Sequence, residues 1–463
     1  MTENESKSKK ILIVCTAFAP ESEAASVRPT KFAKYLKLRG YNVSVITEDR
    51  SGIGYSFPHD HILQRDSEGI KVTRIKSPWY YKYLYYLYTK FLSLNNKKVS
   101  AVGKDTDLKK KGNIIFSWFL QFFKVAINIG YTLADLKRRN LAKKAIKALR
   151  YSKYDVIITS YPERFSLYVG LKYKETFKNT AWIVDLRDPI VDPIAGSMSH
   201  GEKAAKLVKK DEDFERLVYK KCDFILSVTS NMNTLIPDQY SEKKTVLTNG
   251  FDVDDNRDII VEQNKSFSFC LIGSMYIGKR DYSAIFQAVH ELYVDGHIDI
   301  NNLEFVYCGF DYDFRMCIAQ AKEYSLDTVL ANIGRLPRHE LMKIQMSSSI
   351  LLIGGFDIIE RSTGNLPCKI YEYMMAKRPV ISVMNGSIIN AELSQMIEKC
   401  NLGFAFEYSQ IEAHFPLLKE YILNQYKSFI KNGDVYYLPN EQEVDKYNHK
   451  NLVKKLSEII ESK

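Results

Sequence analysis

Short apolar runs alternate with longer stretches of three-to-four-residue periodicity along most of this chain. KILIVCTAF (10–18) is a run with no polar face, as a parallel strand buried on both sides requires. SVRPTKFAKYLKLRG (26–40) follows with helical spacing, Pro29 near its start and Gly40 as its stop. YNVSVIT and GIKVTRIK read as strands, and the rhythm resumes with DVIITSYP, FSLYVGLKYKETF and TAWIVDLRD. A charged helix over 202–222, then DFILSVT and KTVLTNGFD, complete this series. Repeated β-then-α units predict a parallel sheet covered by helices on both faces.

The rhythm breaks at 252–266, DVDDNRDIIVEQNKS, a charged stretch without periodicity that reads as a linker. A second series then starts afresh with FSFCLIGS, a helix from Ser283 to Val294, LEFVYCGF and TVLANIG. ELMKIQMSSS, ILLIGGF, the helix CKIYEYMMAK and RPVISVM follow. The expectation is an α/β chain with two doubly wound domains, 1–255 and 266–445, and an amphipathic helix at 446–463. Ligands are expected at the carboxyl ends of the strands.

One region departs from this pattern. Residues 79–94 carry six tyrosines, a Trp and a Phe, and 114–136 read as a helix apolar nearly all round. Together, 79–136 form a helical, aromatic insertion in the first domain. Charge changes the picture here: 89–153 hold sixteen Lys and Arg against Asp105, Asp107 and Asp135, more than the whole chain's net +11. Such a block attracts anionic lipid, phosphorylated substrates or nucleic acid, and a solvated helical face is the plain alternative. Its aromatics sit in apolar runs instead of alternating with lysines, which disfavours nucleic acid. The insertion is expected to lie on an anionic membrane surface, with burial as a helical layer or at a homodimer interface as the other reading. The polar start MTENESKSKK predicts no secretory signal, and no stretch is apolar enough to span a bilayer. Seven scattered cysteines without a C-x-x-C pair argue against zinc and disulfides and for a reducing compartment. The expected location is cytoplasmic, peripheral on the inner face of the membrane.

The segment GNLPCKIYEYMMAKRPV (364–380) follows a buried strand and places Pro367 just ahead of a helix. Free N–H groups at a helix start suit a diphosphate. Lys369 and Glu372, three apart, project from one face: a cation for phosphate and a carboxylate for ribose hydroxyls. A surface Lys–Glu pair is the ordinary alternative.

Four pieces, in order, resemble the retaining GT-B glycosyltransferases of family four, especially those of capsule and surface-polysaccharide synthesis. They are ILIVCTAFAPESEAASVRPTKFAKYLKLRGYNVSVIT, DVIITSYPERFSLYVGLKYKETFKNTAWIVDLRDP, VLTNGFD, and the series IGSMYIGKRD, IGRLPRHELMKIQ and GNLPCKIYEYMMAKRPVIS. The resemblance implies two facing Rossmann-like domains and a sugar moved from a nucleotide diphosphate to a lipid-linked or polymeric glycan acceptor. It places Gly273, Lys279, Arg335, Gly364, Asn365, Leu366, Lys369 and Glu372 on the donor. Where the family has an arginine this chain has Ser274, which leaves Arg280 and Lys369 to neutralise the diphosphate. The first of the family's paired glutamates falls at Gly364, with Asp357 and Glu360 in the same loop. Arg187 and Asp188 stand where the family has a catalytic histidine. Ser26 and Arg28 fall in the acceptor-side loop, whose glycines are missing.

No metal and no cofactor beyond the nucleotide sugar is implied. The Asp311-Tyr312-Asp313 triplet is read as a loop, and the histidines show no ligand spacing. Ser274 and Gly364 support an alternative: a degenerate glycosyltransferase kept as a membrane-bound assembly partner.

Overall fold

A computed structural model describes residues 8–51, 58–78, 83, 132–191, 202–262, 264–357 and 366–462. Seven parallel strands form the first sheet: β1 (Lys10–Val14), β2 (Asn42–Asp49), β3 (Lys71–Lys76), β4 (Val156–Tyr161), β5 (Ala181–Leu186), β6 (Phe224–Ser227) and β7 (Lys244–Val246). Their spatial order is β3-β2-β1-β4-β5-β6-β7. The second sheet holds β8 (Phe267–Ile272), β9 (Leu303–Cys308), β10 (Leu330–Asn332), β11 (Ile350–Phe356), β12 (Val380–Asn385) and β13 (Gly403–Glu407). Its order, β10-β9-β8-β11-β12-β13, repeats that of the first. In each sheet the order reverses beside the first strand, which opens a crevice at the carboxyl ends of β1 and β4, and of β8 and β11.

The apolar runs are continuous because each strand feeds two cores. Leu12 and Val14 join one side of the first sheet, and Ile11 and Ile13 join the other. Phe267, Phe269 and Leu271 face one core of the second domain, while Cys270 and Ile272 face its opposite. A glycine fixes one helix–sheet approach. A Cβ on Gly170, in the helix Arg164–Thr176, would stand 2.4 Å from the fully buried Trp182 of β5.

The chain does not end in the second domain. The helix His449–Glu461 crosses back, and its Leu452, Val453, Leu456 and Ile460 complete the core around Ile11, Phe32 and Leu36. Lys9 Nζ donates to Ile460 O at 2.9 Å and Tyr41 Oη donates to Glu461 at 2.6 Å.

Three local expectations are corrected. Ser26 and Arg28 lie inside the helix Ala24–Leu38, not in a loop, because Ala24 and Ala25 are good helix formers and Glu23 already stands at the N-cap. Asp311 and Asp313 occupy the first turn of the helix Asp311–Glu323, where acids suit the helix dipole. The stretch 252–266 is not simply solvated, because Asp252 and Asp255 are buried. Most of the aromatic insertion, including the expected helix 114–136 up to 131, lies outside the described residues; from 132 to 149 the chain is helical.

His449 opens the crossing helix, 1% exposed, and its Nδ1 has no partner. Burial, then the charges of Lys31 and Arg28, push its pKa from 6.5 down to about 3, against the weaker pull of Asp252 and Asp255. The unfolded chain therefore takes up a proton below pH 6.5 that the folded chain refuses until about pH 3. Stability should fall as pH drops through this window, by about 2 kcal/mol between pH 6.5 and 4.5. Thermal unfolding at stepped pH should show a flatter slope in His449→Leu; an unchanged slope would exclude the buried neutral imidazole.

Candidate functional site

The carboxyl ends of both sheets face one another, and the chain's chemistry collects there. On the second domain, Gly273 ends β8 with φ +105°, donating its N–H to Cys308 O at 2.9 Å and accepting from Tyr307 Oη at 2.6 Å. The loop then turns through Tyr276, Ile277 and Gly278, all with positive φ. For a β-branched residue such as Ile277 this is strained backbone, and such strain gathers where a loop is held for a purpose. Asp313 does part of the holding: its Oδ1 accepts from Ser274 Oγ at 3.0 Å and Met275 N at 2.8 Å. Arg280 does the rest. It is 8% exposed, donates Nη1 to Ser274 O at 2.9 Å, and lies 4.6 Å from the Tyr276 ring centroid. Ser274, standing where an arginine is expected, thus closes the loop as the partner of Asp313 and Arg280. Lys279 lies over the Phe356 ring at the end of β11, 5.4 Å from its centroid.

The helix Lys369–Ala376 points its start at this loop. A Cβ on Gly273 would lie 3.6 Å from Lys369 Cε, so the lysine stem crosses directly over the glycine. Lys369 Nζ stands 3.6 Å from Glu372 Oε2, confirming the shared face that their spacing predicts. Burial works against the Glu372 charge. Lys369, Arg338 and a 3.2 Å hydrogen bond from Gln345 Nε2 outweigh it and hold the carboxyl below the usual range. Leu366 is half-buried just ahead of this helix. Arg335 follows β10 and stacks on Phe310, 4.6 Å from the ring centroid. Gly364, Asn365 and Glu360 lie outside the described residues. Asp357 follows β11 with Oδ2 bound by Ser387 N and Oγ, at 2.8 and 3.1 Å, while its buried Oδ1 has no partner among the described residues.

On the first domain, Arg187 follows β5. Its Nε donates to Tyr161 O at 3.0 Å and its Nη1 to Ala25 O at 2.9 Å, so the guanidinium is fixed by two backbone carbonyls. Arg28 and Ser26 are both buried, at 2% and 0% exposure. Arg28 forks onto Asp185 at 2.7–3.1 Å and also donates to Leu247 O at 2.8 Å and to Thr248 O. It ties the helix Ala24–Leu38 to β5 and to the segment after β7 beneath the cleft floor.

The two sides meet at Cys368. Its thiol accepts from Asn249 Nδ2 at 3.1 Å and feels the charges of Arg187, Asp188 and Arg28 from one domain and Glu372 from the other. A second contact crosses the gap where Glu392 accepts from Ser230 N at 2.8 Å and Asn231 N at 3.2 Å. Asn249, Cys368, Gln345 and Arg338 carry no separate signal in the sequence, although all four fall within the quoted segments. Their meaning comes from which helix packs on which.

Asp66, Asp252 and Asp255 bring carboxylate oxygens within 4.8 Å of one another, as a metal site would. Lys31 Nζ is bonded to all three, so the cluster's charge is met by an ammonium.

No protein-family model and no curated protein matches this sequence. The fold does match solved structures. A lipopolysaccharide outer core galactosyltransferase in apo form is 13% identical, aligned over 98% of this chain and 99% of that one, with a TM-score of 0.52. Sucrose-phosphate synthase from Thermosynechococcus elongatus is 11% identical over 98% of each chain, with a TM-score of 0.54. The catalytic domain of starch synthase IV from Arabidopsis thaliana, bound to ADP and acarbose, is 11% identical over 98% of this chain and 99% of that one, also at 0.54. At such identities the likeness shows architecture: this chain has the GT-B fold, two facing Rossmann-like domains.

Six of the seven thiols are buried and Cys368 alone is exposed. Although the residue is exposed, its sulfur is tucked into the cleft and this burial raises its pKa against the pull of Arg187, so alkylation should be slow. Iodoacetamide on the native protein at pH 8 should modify this thiol before any other, and Cys368→Ser should remove the reaction; peptide mass mapping that finds another site first would contradict the cleft geometry.

Proposed function

We propose that this chain is a retaining, metal-independent glycosyltransferase that moves a sugar from a nucleotide diphosphate to a lipid-linked or polymeric glycan acceptor, in surface polysaccharide synthesis. The observation that carries this reading is the meeting of Lys369 and Glu372, at a helix start over the Gly273 loop, with Arg187 and Asp188 across the cleft. The GT-B architecture supports it, and the sequence resemblance supplies the retaining outcome.

In this reading the diphosphate lies against the start of the helix Lys369–Ala376. Lys369, Lys279 and backbone N–H groups take up the negative charge that grows as the sugar bond breaks, and because they are already aimed they need no reorganisation. Glu372, kept ionised, accepts from the ribose hydroxyls. Asp357 Oδ1, without a donor among the described residues, is suited to accept from a hydroxyl of the sugar and so to take over the duty of the missing glutamate. Arg187, held by two carbonyls, and Asp188 orient the sugar and the incoming acceptor hydroxyl.

Screening nucleotide sugars for diphosphate release tests the activity. A nucleoside diphosphate should raise the unfolding midpoint of the wild type, and Glu372→Gln should weaken its binding by about 1–3 kcal/mol in calorimetry. Stabilisation without any turnover would point to the degenerate assembly partner instead.

The membrane reading draws on the described end of the basic block, just past the insertion. Arg139, Lys143, Lys147 and Arg150 are exposed at spacings of four, four and three, with half-exposed Leu136 one turn earlier. No helix among the described residues is long and apolar enough to cross a membrane. A basic stripe of this kind attracts anionic lipid at about 1 kcal/mol per residue near the surface. The protein should float with anionic vesicles at low salt, and Lys143→Glu with Lys147→Glu should weaken this by about tenfold or more. Equal flotation with neutral vesicles would remove the electrostatic account.

A further inference from the structure

One guanidinium between the domains is left short of partners. Arg338 opens the helix Arg338–Ser347 of the second domain. Its Nη2 donates to Asp255 Oδ2 at 2.6 Å, while Nη1 stands 3.7 Å from Asp60 Oδ2. Arg338 Nε, Arg338 Nη1 and Asp60 Oδ2 are all shut off from solvent and make no hydrogen bond among the described residues. Buried donors and acceptors are rarely left this way, because each forfeits its hydration without replacement. A charged donor and acceptor normally meet at about 2.7–2.9 Å, so this pair is roughly one ångström from closing.

The acceptor side of that gap is rigid. Asp60 is the N-cap of the helix His61–Asp66, where its Oδ1 accepts from Ile62 N at 2.9 Å and Leu63 N at 3.0 Å. Asp255 is pinned by Lys31. Movement that shortens the gap must therefore come from the second domain. There Arg338 has a third carboxylate in its field, that of Glu372, which Gln345 of the same helix also holds. Arg338 thus sits between the carboxylate assigned to the nucleotide and two carboxylates anchored on the first domain.

We infer that Arg338 is a positioning residue that links occupancy of Glu372 to the spacing of the domains, by closing its open hydrogen bond to Asp60 when a nucleotide binds. Ribose hydroxyls donating to Glu372 spread its charge and loosen its hold on the guanidinium. Arg338 then turns fully to Asp60, satisfying two buried groups and drawing the second domain toward the first. The inference rests on the reading of Glu372 as the nucleotide carboxylate.

The experiment is hydrogen–deuterium exchange on the full chain with UDP, ADP and GDP, beside calorimetry of the same mixtures. In the wild type, the diphosphate that binds should protect the helix Lys369–Ala376 and also residues 60–66 of the first domain. Arg338→Gln should keep protection at the first and lose it at the second, with affinity about tenfold lower. Asp60→Asn, which retains a capping side chain, should behave the same way and decides the matter should Arg338→Gln not fold. Arg338→Lys should restore part of the remote protection. Protection of 60–66 that is missing in the binding wild type, or that persists in both variants, overturns the role of Arg338 and leaves the nucleotide reading intact. A wild type that binds none of the three diphosphates overturns that reading and this inference with it.

Discussion

An ammonium group with no access to water organises the junction of the two domains. Lys31 is 0% exposed, and its charge is tolerable there only because Asp66, Asp252 and Asp255 surround it. Lys34 joins from one turn along the same helix, and Tyr35 donates its hydroxyl to Asp252 at 2.7 Å. Arg338 approaches Asp255 from the second domain. Three cations thus meet three buried carboxylates. Such networks add little stability over an apolar core, but breaking one strands a charge, so few other arrangements are accessible. The chain leaving β7 is consequently fastened to the helix Ala24–Leu38 before the second domain begins.

Around that fixed exit, the cleft becomes a definite object. Arg28 and Asp185 bind helix to sheet below the floor, and the helix His449–Glu461 seals the opposite face of the first domain with residues that follow the second in the chain. Each domain therefore carries part of the other's restraint. The groups at the cleft surface inherit this rigidity: Arg187 rests on two carbonyls, Lys369 on the bare backbone of Gly273, and Glu372 on Gln345. The proposed transfer would use such fixity, because stabilising a departing diphosphate depends on charges that are in place beforehand.

Departures from the family pattern also find physical partners in the structure. Ser274 offers no cation, yet its hydroxyl and carbonyl knit the loop to Asp313 and Arg280. Gly364 offers no carboxylate, and Asp357 just after β11 holds one oxygen without a donor among the described residues.

What the sequence by itself determined is the architecture and one face of the site. A strand buried on both sides must be apolar throughout, so KILIV, VIITSY and ILLIGGF announce themselves, and the restart after the charged stretch separates two doubly wound sheets. Lys369 and Glu372 were legible for the same reason: three residues on a helix are neighbours whatever surrounds them. Only the tertiary structure decided the rest. DVDDN reads as a solvated linker until Lys31, more than two hundred residues earlier, is found bonded to its aspartates. Arg28 reads as a residue of the acceptor-side loop until it is found in a helix, bonded to Asp185 across 157 positions of chain. Arg338 lies within a quoted segment but carries no signal of its own, since its charge is met by three carboxylates on separate segments. Periodicity and capping report the interactions of a residue with its chain neighbours; which distant charges share one desolvated space is settled only when the domains pack.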